Sequence, residues 1–163
     1  MFESGTERHV VLVGPEIHWN TGNAGRTCLG AGACLHLVRP LGFSLDAREV
    51  RRAGLDYWHE VPLRVWDSLP DLIREMDAEP DLAVFTKTGR STLWELPRRD
   101  RLFLVFGSET RGLPADVLNR YADRTYRIPV TSKIRSLNLS TAVGVALYES
   151  IRGRGPTHGW DVM

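Results

Sequence analysis

Apolar runs of strand length recur along the chain, and most of them are continuous rather than alternating with polar positions. Continuous apolar character is typical of strands that are buried on both faces, as in a parallel sheet. The pattern predicts strands at His9–Val13, Leu35–Val38, Leu82–Thr86, Leu102–Gly107 and Thr125–Ile128, with a weaker one at Glu60–Val65.

Helix signals separate these strands. The predicted helices are Asn23–Ala31, Asp46–Arg52 followed by Gly54, Ser68–Met76 and Pro114–Arg120. Ser68 and Asp71 have the spacing of an N-terminal cap, and Pro70 suits a first helical turn. The alternation of strands and helices predicts an α/β fold with a mostly parallel sheet flanked by helices.

The last helix has the clearest pattern. Its apolar stripe consists of Leu139, Ala142, Val143, Ala146, Leu147 and Ile151, and the amphipathic run extends to Arg152. Asn138 or Ser136 can cap its first turn, where free amides and the helix dipole favour an anionic group. We expect one domain over residues 1–153 and a flexible tail over residues 154–163.

Composition limits the possible classes of protein. The 163 residues are 42% apolar, which is enough for one core, and a net charge of +1 neither indicates nor excludes a nucleic-acid partner. Local basic clusters lie at Arg48/Arg51/Arg52, Arg98/Arg99/Arg101 and Lys133/Arg135. Clusters of this size are more often solvated surface than binding sites.

Cysteine and histidine usage favours a reduced, cytoplasmic protein. Cys28 falls in a predicted helix and Cys34 opens the next strand, so we expect no disulfide. The histidines have no metal-ligand spacing, and we expect no metal. No N-terminal apolar segment of the length of a signal or membrane span is present in the sequence, so we expect no membrane partner.

Polar segments follow three of the predicted strands. They are residues 20–26 (Asn-Thr-Gly-Asn-Ala-Gly-Arg), 107–114 (Gly-Ser-Glu-Thr-Arg-Gly-Leu-Pro) and 133–140 (Lys-Ile-Arg-Ser-Leu-Asn-Leu-Ser). Because open parallel sheets bind ligands at the carboxyl ends of their strands, the three segments predict one composite site. Such side chains orient reactants rather than attack them, so methyl, glycosyl and phosphoryl transfer all remain open.

Several common chemistries are disfavoured. The first strand-helix joint lacks the G-x-G-x-x-G spacing of dinucleotide-binding folds, and no P-loop is present. Ser108 follows a strand, but position 106 is Phe, so the G-x-S-x-G pattern of serine hydrolases fails.

The three polar segments resemble, in order and over nearly the whole chain, the three motifs of the SPOUT methyltransferases. Residues 51–57 (Arg-Arg-Ala-Gly-Leu-Asp-Tyr) and the lack of an added RNA-binding domain are similar to the minimal members that methylate the ribose of the wobble nucleotide of tRNA. The resemblance implies a deep C-terminal trefoil knot that binds S-adenosylmethionine and releases S-adenosylhomocysteine. It also implies a homodimer and the anticodon stem-loop of tRNA as partner.

Site residues follow from the same resemblance. It implies cofactor binding at Phe85, Gly107, Glu109, Ile128, Ser136, Leu137 and Asn138, and substrate binding at Asn20, Asn23 and Tyr148. Phe85 and Ile128 are expected to enclose the adenine, and a missing Cβ at Gly107 would let the ligand approach the main chain. Asn20 and Asn23 are expected on the loop of the first motif.

Arg26 is similar to the catalytic arginine of the family. Arginine stays protonated far above neutral pH, so we expect Arg26 to hold the 2′-hydroxyl or a nearby phosphate rather than to act as a base. It would then stabilise the developing alkoxide. RNA recognition of this kind stacks a splayed base on an aromatic side chain, and Trp19 is a candidate.

Each feature also has a structural explanation when it is taken alone. Asn20 and Thr21 suit a helix cap, Gly107 suits a turn, and Trp19 and Tyr148 suit a partly buried packing role. Because these residues occur together, at three connections between a strand and a helix, a functional role is favoured over a purely structural one. The alternatives are methylation at another tRNA position or of rRNA, and a non-catalytic knotted RNA-binding dimer.

Overall fold

The computed structural model of the protein describes residues 6–52, 55–76 and 80–154. Its strands are β1 (Glu7–Val13), β2 (Cys34–Val38), β3 (Leu63–Trp66), β4 (Leu82–Phe85), β5 (Ser91–Thr92), β6 (Arg101–Phe106) and β7 (Thr125–Arg127). Its α-helices are α1 (His18–Ala31), α2 (Ala47–Arg52), α3 (Leu69–Arg74), α4 (Ala115–Arg120) and α5 (Leu139–Ser150). The predicted alternation of strands and helices is confirmed.

The strands form one sheet in the order β3-β2-β1-β6-β4-β7-β5. Every strand pair in it is parallel, for example β1 with β2 and β1 with β6. β1 is central, and residues 8–12 of it are buried. The continuous apolar runs therefore have the predicted cause, which is burial on both faces.

Successive strand residues point into two separate cores. Val10 and Leu12 of β1 pack on the face that α1 and α5 cover, with Cys28 and Leu147 among the helix residues. Val11 points to the opposite face, where α3 and α4 contribute Leu69, Leu72 and Val117. The architecture is thus a helix layer on each side of a parallel sheet. Cys28 is buried and Cys34 is half-buried, and neither is in a disulfide.

The start of α1 was predicted too late. The helix begins at His18 rather than Asn23, so Asn20 and Asn23 lie within it and not on a preceding loop. Two of its three glycines, Gly22 and Gly25, lie where other parts of the chain press against the helix. A Cβ at Gly25 would lie 2.6 Å from the Trp58 ring, and one at Gly22 would lie 3.0 Å from the Leu55 side chain. The glycines therefore serve close packing rather than a turn.

Other boundaries differ by smaller amounts. β3 lies at Leu63–Trp66 rather than Glu60–Val65, because residues 58–60 form a 3-10 turn. α3 ends at Arg74, and its Ser68 cap accepts from the Asp71 amide as predicted. The two-residue strand β5 had no sequence signal. Gly54 and residues 155–163 of the predicted tail lie outside the described residues.

The connection between β4 and β5 crosses β7. Both strands pair in parallel with β7, one on each side, although only residues 86–90 join them. A Cβ at Gly89 would lie 2.2 Å from the carbonyl carbon of Tyr126, so the two backbones touch. The Arg90 amide also donates to Thr125 Oγ1 at 3.0 Å. Residues 86–90 therefore cross over β7 in close backbone contact.

Candidate functional site

The amino end of α1 is held by a carboxylate from a distant part of the chain. Glu109 Oε2 accepts from the Glu16 amide at 2.8 Å, and Oε1 accepts from the Ile17 amide at 3.0 Å. These amides belong to the first residues before the helix, where backbone donors lack intrahelical acceptors and a negative charge complements the helix dipole. Glu109 thus fixes where α1 begins.

Asn20 connects this carboxylate to α5. Its Nδ2 donates to Glu109 Oε1 at 3.3 Å, and its Oδ1 accepts from Asn138 Nδ2 at 3.0 Å. Asn20 is buried. The three side chains therefore form a hydrogen-bonded chain, Glu109–Asn20–Asn138, with one member in each of the three polar segments.

Asn138 also caps α5, as its sequence position predicted. Its Oδ1 accepts from the amides of Ser140 at 2.9 Å and Thr141 at 3.4 Å. One side-chain amide thus satisfies the free donors of the helix with its oxygen and binds α1 with its nitrogen. The predicted composite arrangement of the three segments is present at the carboxyl edge of the sheet.

A second contact joins the first two segments. The Thr110 hydroxyl donates to Glu16 Oε1 at 2.6 Å, while the Glu16 amide is bound by Glu109. The hydrogen bond from Thr110 lowers the pKa of the Glu16 carboxyl, which therefore remains an anionic acceptor at neutral pH. Glu16 had not been identified from the sequence.

The loop after β6 closes on itself. Ser108 and Gly112 exchange two backbone hydrogen bonds, of 3.2 and 3.0 Å, and Gly112 has a φ of +66°. A Cβ at Gly107 would lie 2.1 Å from the carbonyl carbon of Gly112. The missing Cβ at Gly107 therefore serves the close approach of the backbone of its own loop, and ligand binding at this residue stays a prediction.

The remaining predicted cofactor residues lie around the ends of β4 and β7. Phe85 is the last residue of β4 and stacks on Phe106 with ring centroids 4.9 Å apart. Ile128 follows β7 and is half-buried, and residues 129–136, which include Ser136, form an exposed segment leading to half-buried Leu137. This segment contains no strand or helix, so its main-chain groups are not committed to such an element.

Arg26 lies on the exposed face of α1 beside the segment that follows α2. Its guanidinium carbon is 5.4 Å from the centroid of the Tyr57 ring, a cation–π contact. The Tyr57 hydroxyl donates to the Gly22 carbonyl at 3.0 Å, and burial raises the pKa of that hydroxyl. Tyr57 thus stays protonated, anchored to α1 and able to orient Arg26.

Helices α1 and α5 run side by side in the same direction. Asn20 meets Asn138 near their amino ends, and Tyr148 reaches Gly30 near their carboxyl ends, with its hydroxyl 3.8 Å from a Cβ built there. Tyr148 is ten residues beyond Asn138, a separation of about 15 Å along a helix. Within one chain, therefore, Tyr148 does not join the Asn20 network, and it is 53% exposed.

Among residues 6–52, 55–76 and 80–154, no group of three or more His, Cys, Asp or Glu side chains is placed to hold a metal ion. In the same residues, no helix has both the length and the apolar character needed to cross a bilayer.

Comparison with known proteins identifies the family to which this chain belongs. The model of the SpoU rRNA methylase family matches residues 7–148. The chain belongs to the SpoU rRNA methylase family.

Two solved structures and one relative of this SpoU chain are informative. A tRNA (cytidine(34)-2'-O)-methyltransferase of Burkholderia ambifaria is 44% identical over 151 residues, which cover 90% of this chain and 96% of the relative. A structure described as giving insights into the 2-OH methylation of C/U34 on tRNA is 44% identical, with a TM-score of 0.84 and 91% and 97% of the two chains covered. An AdoMet-bound rRNA methyltransferase from Sinorhizobium meliloti is 28% identical, with a TM-score of 0.78 and 93% and 58% covered.

Sequence reasoning about this SpoU chain missed three side chains of the site: Glu16, Tyr57 and the buried hydroxyl of Thr21. Thr21 and Tyr57 lay in segments that the motif comparison had selected, but neither had been given a role in binding. Glu16 has no local signal, because its role depends on contacts with Glu109 and Thr110. The structure also leaves Asn23 and Trp19 exposed on α1, and Trp19 is 58% exposed rather than part of the core.

Proposed function

We propose that this protein transfers the methyl group of S-adenosylmethionine to the ribose 2′-oxygen of the wobble nucleotide of tRNA, a cytidine or a modified uridine at position 34. The observation that carries the proposal is the Glu109–Asn20–Asn138 network, which links all three motif segments by side-chain hydrogen bonds. The full-length similarity to a relative named for this reaction supports the choice of substrate.

The residues proposed for the cofactor suit its chemistry. S-adenosylmethionine, when bound, supplies an electrophilic methyl group. Phe85 and Ile128 offer apolar surface for an adenine ring at the ends of β4 and β7, and the exposed backbone of residues 129–136 offers amides and carbonyls for its polar edge. We assign the sugar and amino-acid parts to the backbone around Gly107 and to Ser136 and Leu137.

Two of the proposed cofactor residues, Glu109 and Asn138, have polar atoms that already form hydrogen bonds within the protein, so we propose an indirect role for them. The carboxylate of Glu109 and the amide of Asn138 are engaged with α1 and α5. We propose that they shape the pocket by fixing the helices that flank it. Their loss would then weaken cofactor binding even without direct contact.

Arg26 is the proposed catalytic residue. Its guanidinium is exposed and oriented by Tyr57, so it is available to a nucleotide at the surface. In the proposed reaction it donates hydrogen bonds to the 2′-oxygen or to an adjacent phosphate. A fixed positive charge there would stabilise the alkoxide that forms as the 2′-hydroxyl proton leaves to solvent, before the 2′-oxygen bonds to the methyl carbon and the carbon–sulfur bond breaks to release S-adenosylhomocysteine.

The proposal includes a C-terminal trefoil knot. Its support is the crossing of β7 by the connection from β4 to β5, with the Arg127 guanidinium also donating to the Gly89 carbonyl at 2.7 Å. The proposed cofactor segment, residues 129–137, continues directly from the crossed strand. The knot would thus hold that segment against the sheet.

The proposal also includes a homodimer in which the partner completes each site. The outer face of α5 supports it, because Val145, Tyr148 and Trp94 expose large apolar surfaces around a groove of about 380 Å³. Such a patch marks an interaction surface. Tyr148 and Asn23, which lie apart from the Asn20 network in one chain, would then contact substrate across the interface. A Tyr148→Glu variant should sediment as a monomer at concentrations where the wild type is a dimer.

The proposed domain spans residues 1–153, and a tRNA substrate places the protein in the cytoplasm. Incubation with labelled S-adenosylmethionine and tRNA that lacks wobble methylation tests the activity. Label in tRNA but not in rRNA is the expected result. Label in rRNA alone would favour the alternative substrate, and cofactor binding without transfer to either RNA would favour the non-catalytic dimer.

A further inference from the structure

A cavity of about 320 Å³ lies between α1, α2 and the loop that precedes α2. Its walls include three rings, those of His18, Phe43 and Trp58. Leu55 and the backbone of Gly22 contribute to its apolar surface. The volume falls in the range of about 300–1,000 Å³ that small-ligand sites occupy. None of the proposed catalytic or cofactor residues lines it.

The cavity wall contains a buried polar atom without a partner. Thr21 lines the cavity and is 1% exposed, and its Oγ1 makes no hydrogen bond with any part of the chain that the structure describes. A buried hydroxyl without a partner destabilises the fold, so such groups call for an explanation. Oγ1 itself has almost no accessible surface, so a turn of the Thr21 side chain towards the cavity would give the hydroxyl a partner on a ligand atom.

The mouth of the cavity carries charge that suits a phosphate. Arg52 of α2 lines the cavity with its side chain 63% exposed, and Arg48 is exposed on the same helix. Glu49 offsets part of this charge, since it lies 3.4 Å from the Arg52 guanidinium. Flat rings inside and guanidinium groups outside match a base attached to a sugar-phosphate backbone.

The cavity also lies beside the proposed catalytic arginine. Gly22, which lines it, is one helical turn before Arg26, and residues four apart on a helix are neighbours. Trp58 in the wall directly follows Tyr57, whose ring orients Arg26. A nucleotide with its base in the cavity would therefore bring its ribose to the side of the protein where Arg26 is exposed.

We propose, on the basis of the function proposed above, that this cavity binds the extruded base of the nucleotide that is methylated, stacked on Phe43 and Trp58 and hydrogen-bonded to Thr21 Oγ1. A pyrimidine gives this one hydroxyl donor an acceptor, because cytosine and uracil both carry a carbonyl oxygen on the ring. This assignment replaces Trp19, whose exposed ring contacts only the edge of His18 among the described rings and does not line the cavity.

The Thr21→Val variant separates a binding role from a structural one. Valine keeps the shape and removes the unpartnered hydroxyl, so the melting temperature should rise or stay the same. The KM for tRNA should nevertheless increase by about two- to tenfold, the equivalent of one neutral hydrogen bond. Affinity for S-adenosylhomocysteine should not change. An unaltered KM would overturn the role of Thr21.

Fluorescence tests the stacking. An anticodon stem-loop with pyrrolocytidine at position 34 is titrated with the wild type and with Phe43→Leu and Trp19→Leu, which are matched aromatic-to-leucine changes. Binding to the wild type and to Trp19→Leu should quench the fluorophore, and Phe43→Leu should lose most of the quench and raise the KM by about tenfold or more. Quenching that depends on Trp19 and not on Phe43 would overturn the cavity assignment.

The outcomes also separate this inference from the proposed function. If the wild type methylates position 34 while Thr21→Val and Phe43→Leu behave like the wild type, the cavity inference fails and the proposed function stands. If the wild type transfers no methyl group to tRNA, the proposed function fails and the cavity inference fails with it.

Discussion

The buried pair His9 and His36 should make the stability of this protein depend on pH. His36 is 1% exposed, and its Nδ1 lies 3.0 Å from the Trp66 indole nitrogen, which can only donate. The proton of neutral His36 is therefore on Nε2, which donates to His9 Nδ1 at 2.8 Å. His9 in turn donates from Nε2 to Glu7 Oε1 at 2.5 Å. All donors and acceptors are matched when both imidazoles are neutral.

Protonation of His36 would break this chain, because both of its nitrogens would then be donors. Burial, followed by the proximity of His9, lowers the pKa of His36 from 6.5 to about 3. The unfolded chain takes up the proton at the higher pH. The stabilising contribution is therefore complete above pH 6.5 and decreases as the pH falls from there towards about 3. Between pH 8 and pH 5 the loss is about 2 kcal/mol.

Urea unfolding at pH 8 and pH 5 measures this loss. The His36→Gln variant keeps an amide donor and acceptor but has no proton to gain, so its free energy of unfolding should change by about 2 kcal/mol less than that of the wild type. The exposed His59, changed to Gln, should keep the wild-type dependence. Equal pH dependence in the wild type and His36→Gln would refute the neutral, matched arrangement.

Three further changes test separate parts of the structure. Arg26→Lys should retain S-adenosylhomocysteine binding and lower kcat by about a hundredfold, because a lysine lacks the planar donor pair; a fully active variant would contradict the assigned role. Asn20→Ala should lower the free energy of unfolding by about 2–3 kcal/mol, since it leaves the Asn138 amide without its partner, and urea denaturation would show it. Gly89→Ala should cost about 3 kcal/mol, because the new Cβ meets the backbone of Tyr126, whereas Gly144→Ala in α5, whose new Cβ makes only an ordinary contact 3.8 Å from Thr27 Cγ2, should gain about 0.5–1 kcal/mol. Equal stability of the two alanine variants in thermal unfolding would argue against the close crossing at residue 89.

Local interactions are what the sequence predicted well. All strands of the sheet except the two-residue β5 follow from their apolar runs. The caps of α3 and α5 follow from Ser68 and Asn138, whose acceptor oxygens bind amides within three residues. In these cases the residues that decide the structure are neighbours in the chain.

The features that the sequence did not predict depend on contacts between residues that are far apart in the chain. The start of α1 depends on Glu109, which is more than 90 positions from the amides it binds, so nothing near Asn20 predicts a helix there. That residue 25 must be a glycine follows from Trp58, which occupies the space of a Cβ there and is 33 positions away in the sequence. The closed loop beside Gly107 likewise depends on the backbone of Gly112. The candidate site residues were proposed from the motif resemblance, and how they lie relative to one another became clear only from the folded structure.

The position of the transferred methyl group is the most direct test of the proposed 2′-O-methylation at position 34 of tRNA. Purified protein is incubated with methyl-labelled S-adenosylmethionine and tRNA that lacks wobble 2′-O-methylation, and nuclease digestion with mass spectrometry locates the label. The account predicts a 2′-O-methylated pyrimidine at position 34, with little label for Arg26→Lys under the same conditions. A label at another nucleotide, on a base rather than a ribose, or no label at all would contradict it.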